Sequence, residues 1–213
     1  MYRARIAFAL AAAAFVASVT AGALADPVSD FAAAWAKVDD YTVTIKVHET
    51  DGKNVQDRVY HYAYKKPHFA KIDVVSGPGR GSGSVWSGGD HVKGHQGGFL
   101  SGIKASIALT DPRAVSLRGD TMDQASFQSV ADDFANGKIE GASTAATVDG
   151  VAADVVTIDL ATPANGVTKR VVALSKVTHL PVRRSGYAGD TLVKQEDFSD
   201  LSIDPGLKES DFN

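Results

Sequence analysis

The chain has 213 residues, 22 Lys and Arg against 25 Asp and Glu for a formal net charge of −3, and no cysteine. That length is enough for one domain with a core of its own, and the missing cysteine excludes both disulfide staples and a lipid-modified cysteine anchor. With no basic tract longer than two residues past the leader, the charge excludes electrostatic capture of nucleic acid or of an anionic membrane.

Residues 1–25 read as a secretory signal peptide. Arg3 and Arg5 give the positive start, an uncharged Ala/Val/Phe run spans Ile6 to Val19, and Ala23-Leu24-Ala25 places small residues before Asp26-Pro27. The apolar run is too short to read first as a membrane span; the competing reading is an uncleaved N-terminal anchor. The mature chain is expected to be residues 26–213, one periplasmic domain beginning at Asp26.

Asp26 to Val38 is expected to be a helix, with Val28, Phe31, Trp35 and Val38 on one stripe and Pro27 in the first turn. The period then changes to two. Tyr41, Val43, Ile45 and Val47 alternate with Thr42, Thr44, Lys46 and His48, a strand with one buried face. Asp51-Gly52 turns the chain into Val55 to Tyr64, where Tyr60, Tyr62 and Tyr64 share a face. Phe69 to Val75 is a third strand with Ala70, Ile72 and Val74 on one side. Short strands are expected at Ser84-Val85-Trp86 and His91-Val92-Lys93.

The middle is expected to be helical. Leu100, Ile103 and Ile107 fit helical spacing within Phe99 to Leu109, and Asp123 to Asn136 carries Phe127, Val130, Ala131 and Phe134 as its stripe. Strands return at 141–148, 153–160, 168–174, 182–187 and 191–198, separated by turns such as Asp149-Gly150. Short strands at turn spacing mean an antiparallel sheet or barrel rather than parallel βαβ units.

No catalytic set stands out. There is no G-x-S-x-G elbow, and the glycine-rich Gly79-Arg80-Gly81-Ser82-Gly83 has neither the helix nor the Lys-Ser/Thr pair of a phosphate cradle. His48, His61, His68, His91 and His95 fall in neighbouring strands, but no cysteine or HExxH-like helix supports them as metal ligands. No metal, no cofactor and no enzymatic activity are expected. What the pattern supplies in excess is apolar surface. Sheet and helices either fill each other as a closed core or leave an apolar cavity for a ligand.

Tyr62-Ala63-Tyr64-Lys65-Lys66-Pro67, the strand from Phe69, and Val85-Trp86-Ser87-Gly88-Gly89-Asp90-His91-Val92 resemble the LolA-like periplasmic lipoprotein-carrier superfamily, the group of LolA, LolB and RseB. The C-terminal run of Leu180-Pro181, Arg183 to Tyr187, Gly189-Asp190 and Phe198-Ser199-Asp200-Leu201 resembles it as well. His95 to Pro112 is similar to outer-membrane-lipoprotein-sorting-like proteins. The resemblance implies an α+β fold, an antiparallel curved sheet forming an unclosed half-barrel with helices over its concave face. It also implies lipid binding without catalysis, in lipoprotein transport and outer membrane biogenesis. The carriers' lid-locking arginine has no clear counterpart, since the aligned early strand offers Lys46 or Arg58.

The resulting expectation is a soluble, monomeric periplasmic carrier whose partners are lipid or lipoprotein acyl chains, with envelope membrane proteins for loading and delivery. Its cavity wall is expected at Val43, Ile45, Val47, Tyr60, Tyr62, Ile72, Val74, Trp86, Val156 and Ile158. Its lid is expected at Phe99, Leu100, Ile103, Phe127, Val130 and Phe134. The alternative is an envelope sensor or assembly module that binds a protein partner through a sheet edge.

Overall fold

The computed structural model describes residues 26–98, 102 and 104–213. The signal-peptide reading and the lid positions Phe99, Leu100 and Ile103 therefore lie outside the described residues. The described residues form two α-helices and one eleven-stranded antiparallel sheet that does not close, an α+β open half-barrel.

Helix α1 (Pro27–Lys37) starts where its sequence dictates. Asp26 caps it by accepting from Val28 N at 3.2 Å, Pro27 occupies the first turn, and Lys37 sits at the negative end of the helix dipole. Phe31 and Trp35, four residues apart, are buried. Strands β1 (Asp40–Thr50) and β2 (Val55–Lys65) pair in full register, so Tyr41, Val43, Ile45 and Val47 face inward beside Tyr64, Tyr62, Tyr60 and Arg58. The meander continues outward through β3 (Phe69–Ser76), β4 (Gly83–Trp86), β5 (His91–His95) and β6 (Lys104–Ala108).

After β6 the chain crosses to the opposite edge of the sheet. It enters β7 (Lys138–Val148) and returns through β8 (Val151–Ala164), β9 (Val167–Ser175), β10 (Pro181–Ala188) and β11 (Thr191–Ile203), which pairs with β1. Because β6 and β7 are the two outer strands, residues 109–137 must span the inside of the half-barrel. That crossover carries a 3-10 turn at Met122–Ala125 and helix α2 (Phe127–Asn136). Gly137 ends α2 against the sheet. A side chain there would meet Ile158 Cγ2 at 2.3 Å, so the close approach requires glycine.

Two sequence expectations are corrected. The helix placed at Phe99–Leu109 is a strand in its described C-terminal part: Lys104–Ala108 pairs with β5, with Ile107 opposite Val92. The 3–4 spacing of Leu100, Ile103 and Ile107 is outweighed by the open hydrogen-bonding edge of β5, which β6 satisfies. The helix placed at 123–136 is broken at Ser126, whose extended backbone (φ −78°, ψ 160°) lets its side chain accept from Ser129 N and begin α2 afresh.

The core lies between the helices and the inner face of β1, β2, β8, β9 and β11. Phe127 stacks on Tyr41 at 4.5 Å between ring centroids and meets Trp35 and Phe198 edge-on. Tyr41 Oη accepts from Phe127 N at 3.0 Å, and Tyr62 Oη donates to Met122 O at 3.1 Å. Burial pushes the Tyr41 and Tyr62 hydroxyls well above the ordinary tyrosine range, so both stay neutral and serve as hydrogen-bonding groups.

Candidate binding cavity

The helices cover only part of the sheet. Along the inner face, the aromatic end is filled by α1 and α2, while the outer strands β3 to β6 curve around open space. A cavity of about 910 Å³ lies there. Its apolar wall comes from Val74 of β3, Val92 of β5, Ala105 and Ile107 of β6, and Ala114 and Val115 of the crossover. A hollow of about 110 Å³ shares Val74, Ser82 and Ala114 with it and reaches inward to Val47, Tyr60 and Ile72. The larger volume is of the size that takes small-molecule ligands.

The floor of the smaller hollow is a buried ion network. Arg184 donates from Nε to Glu196 Oε2 at 2.5 Å, from Nη1 to Ser129 Oγ at 2.7 Å and from Nη2 to Gln124 O at 2.7 Å. Lys194 Nζ reaches Asp120 at 2.7 Å, Glu196 at 3.1 Å and Glu49 at 3.3 Å. Arg184 and Glu196 are each 1% exposed. Burial alone would raise the Glu196 carboxyl, but Arg184 and Lys194 hold it down at about 2. Asp120 is also held at about 2, against the effect of burial, by Lys194 and Asn165. Farther along, Arg170 Nε stands 2.8 Å from Asp133 Oδ2 without the alignment of a hydrogen bond, so that contact is an ion pair only. Burial raises the Asp133 carboxyl despite Arg170.

This network ties the crossover to the sheet. Arg184 on β10 holds the backbone just before α2 and a serine on its first turn, and Glu49 on β1 accepts from Leu117 N at 3.0 Å. Arg118 continues the seam, donating to Thr50 O and Asn165 O at 2.6 Å each. The arginine bonded to the helix-bearing segment thus comes from the far half of the sheet. Of the two early-strand candidates, Lys46 is on the outward, exposed side of β1, and Arg58 faces the cavity.

The sequence-predicted wall divides. Val47, Tyr60, Ile72 and Val74 border the hollow or the cavity. Val43, Ile45, Tyr62, Val156 and Ile158 are buried at 3% exposure or less and packed in the core cluster with the helices. Trp86 is partly buried, meets His68 edge-on and donates from Nε1 to Gly89 O at 2.9 Å. Among the predicted lid residues, Phe127 and Val130 are fully buried in that same core, and Phe134 is half-buried against Phe31 at 5.4 Å. Periodicity missed Arg58, Ser82, Ala105 and Val115 as cavity residues, because they come from short outer strands, a strand end and an irregular crossover. Among the described residues no group of three His, Asp or Glu side chains converges as a metal site would. His48 and His91 instead meet single aspartates, Asp57 at 2.8 Å and Asp90 at 2.7 Å.

The fold and cavity together define an open half-barrel with a hollow inner face, the architecture that the LolA-like resemblance implied. No protein-family model matches the chain, and no curated protein matches it. Solved structures of similar shape exist. An uncharacterized conserved protein from Thermus thermophilus is 8% identical over 87% of this chain and 90% of its own, at a TM-score of 0.53. An outer membrane lipoprotein-sorting protein domain from Vibrio parahaemolyticus is 15% identical over 87% and 95%, at 0.47. A LolA superfamily protein from Nitrosomonas europaea is 11% identical over 83% and 91%, at 0.41. At 8% identity the likeness to the Thermus thermophilus protein is one of fold alone.

Proposed function

We propose that this protein is a non-catalytic periplasmic binding or carrier protein that holds lipid or lipoprotein acyl chains, with residues 1–25 acting as its export signal. The observation that carries the reading is the cavity of about 910 Å³ left open on the inner face of the half-barrel beside a core that the helices already fill. Burying methylenes there contributes roughly 0.8 kcal/mol each, so a sixteen-carbon chain gives about 10 kcal/mol before ordering costs. Affinity then needs no catalytic or metal chemistry. Envelope membrane proteins would load and unload the carrier.

The test is to fill the cavity without touching the core. Ala105 is exposed on β6 and borders the cavity, so Ala105→Trp adds bulk where no packing is lost. The neutral probe N-phenyl-1-naphthylamine should brighten with the wild-type protein and bind at least tenfold more weakly to Ala105→Trp, with unchanged melting. Equal binding by the two proteins would place the probe elsewhere and count against the cavity.

The second reading, an envelope sensor or assembly module, has one observation in its favour. Strand β7 is exposed along nearly its whole length and pairs only with β8 among the described residues, leaving an edge that a partner strand could extend. A partner captured by that edge would protect β7 amides from hydrogen exchange, whereas a lipid in the cavity would not.

A further inference from the structure

The charge around the cavity is one-sided. Among the described residues Arg58, Arg80, Arg113 and His95 line it, and no Asp or Glu does. Arg113 is engaged by Asp111, through its Nε and Nη2 at 2.9 and 2.8 Å. Arg58 is different. It faces inward from β2 opposite Val47, with Gln56 the next inward position toward the hairpin, and borders both the cavity and the hollow beneath it. Its Nε is buried without a protein acceptor, and its guanidinium forms no ion pair among the described residues.

The carboxylates within the hollow are already committed. Glu49, diagonal to Arg58 across the β1–β2 ladder, accepts from Leu117 N through Oε2, while its Oε1 is ion-paired to Lys194 at 3.3 Å without a hydrogen bond; Asp120 is held by Lys194 and Asn165, and Glu196 by Arg184 and Lys194. A buried guanidinium N–H with no acceptor is costly, and a planar fork of donors matches a carboxylate or phosphate. Resting on the carrier reading, we infer that the ligand is an anionic amphiphile: its alkyl chain lies along Val74, Val92 and Ile107, and its carboxylate or phosphate is bound by Arg58, with Arg80 at the rim.

The experiment is calorimetric titration of the mature chain with three twelve-carbon ligands below their micelle concentrations: dodecanoate, dodecyl phosphate and dodecanol. Wild type should bind at least one of the two anionic ligands roughly tenfold or more tightly than dodecanol. The ratio between the two anions tells a fatty-acid carboxylate from a lipid phosphate. Arg58→Gln should lose that preference and keep its affinity for dodecanol, while Arg58→Lys should keep part of the preference. Raising salt should weaken the anionic ligands and leave dodecanol unchanged, a measurement on wild type that holds even if a variant folds poorly. Equal binding of all three ligands, or an anionic preference that survives Arg58→Gln in a folded protein, overturns the inference and leaves the carrier reading standing. Failure of all three to bind overturns both.

Discussion

Replacing Arg184 by alanine should lower the unfolding free energy by about 3–5 kcal/mol, the cost of breaking a buried ion pair from one side. The loss has two parts. Glu196, 1% exposed, would keep Lys194 but lose the guanidinium at 2.5 Å. Ser129 Oγ and Gln124 O would lose their donors, and with them goes a direct tie between β10 and the crossover. Urea unfolding followed by circular dichroism measures the change. Removing both charges, as in Arg184→Met with Glu196→Met, should recover much of the loss, because no uncompensated carboxylate then remains at that position. A single variant that melts within 1 kcal/mol of wild type would mean that the network is solvated rather than buried.

Phe127→Ala should cost a comparable amount, about 3–5 kcal/mol, as a large-to-small change at a fully buried aromatic site. The ring stacks on Tyr41 and touches Trp35 and Phe198, so its removal opens a gap where α1, α2 and the sheet meet. The sequence places Phe127 in a lid over bound acyl chains, and the structure packs it into the core. The two roles differ in outcome. As core, Phe127→Ala loses stability, and the fraction still folded binds N-phenyl-1-naphthylamine as wild type does. As lid, the variant melts normally and loses the probe. Denaturant unfolding and probe titration on the same sample separate them, and the first outcome is expected.

The fold was legible because inward and outward residues alternate cleanly. In β1 the run Tyr41, Val43, Ile45, Val47 marks the buried face, and turns such as Asp51-Gly52 set the hairpins. The same alternation, carried two residues farther, reaches Glu49, and in β11 it runs from Phe198 back to Glu196 and Lys194. Those inward charges are the ion network. An apolar face alone does not reveal them, because a charge at a strand end is ordinarily solvated. Their partners lie 74 residues apart for Asp120 and Lys194 and 68 apart for Glu49 and Leu117, so only the three-dimensional register joins them.

The cavity was legible as a possibility and not as a place. Apolar supply on β1 to β4 and β8 suggested the wall; the helices cover Val43, Ile45, Tyr62, Val156 and Ile158, while Val47, Tyr60, Ile72 and Val74 border open volume. The open volume sits over β3 to β6, whose short, glycine-rich segments carry weak periodicity, and where an expected helix is an edge strand. An amphipathic stripe states that a surface is covered, without stating whether protein or ligand covers it. Arg58 shows the same gap. In sequence it is a lone cation near a hairpin, and the burial of its Nε without a hydrogen-bond partner emerges only from the assembled cavity.

The carrier reading is tested most directly by what the protein holds when it is purified. The 213-residue chain, expressed with residues 1–25 and purified without detergent from the periplasmic fraction, is extracted with chloroform and methanol, and the extract is analysed by mass spectrometry. The account predicts long-chain lipids carrying an acidic group, enriched near one per protein over a control protein taken through the same steps, and depleted in Ala105→Trp. An extract indistinguishable from the control, from a protein that also fails to bind N-phenyl-1-naphthylamine, would contradict it.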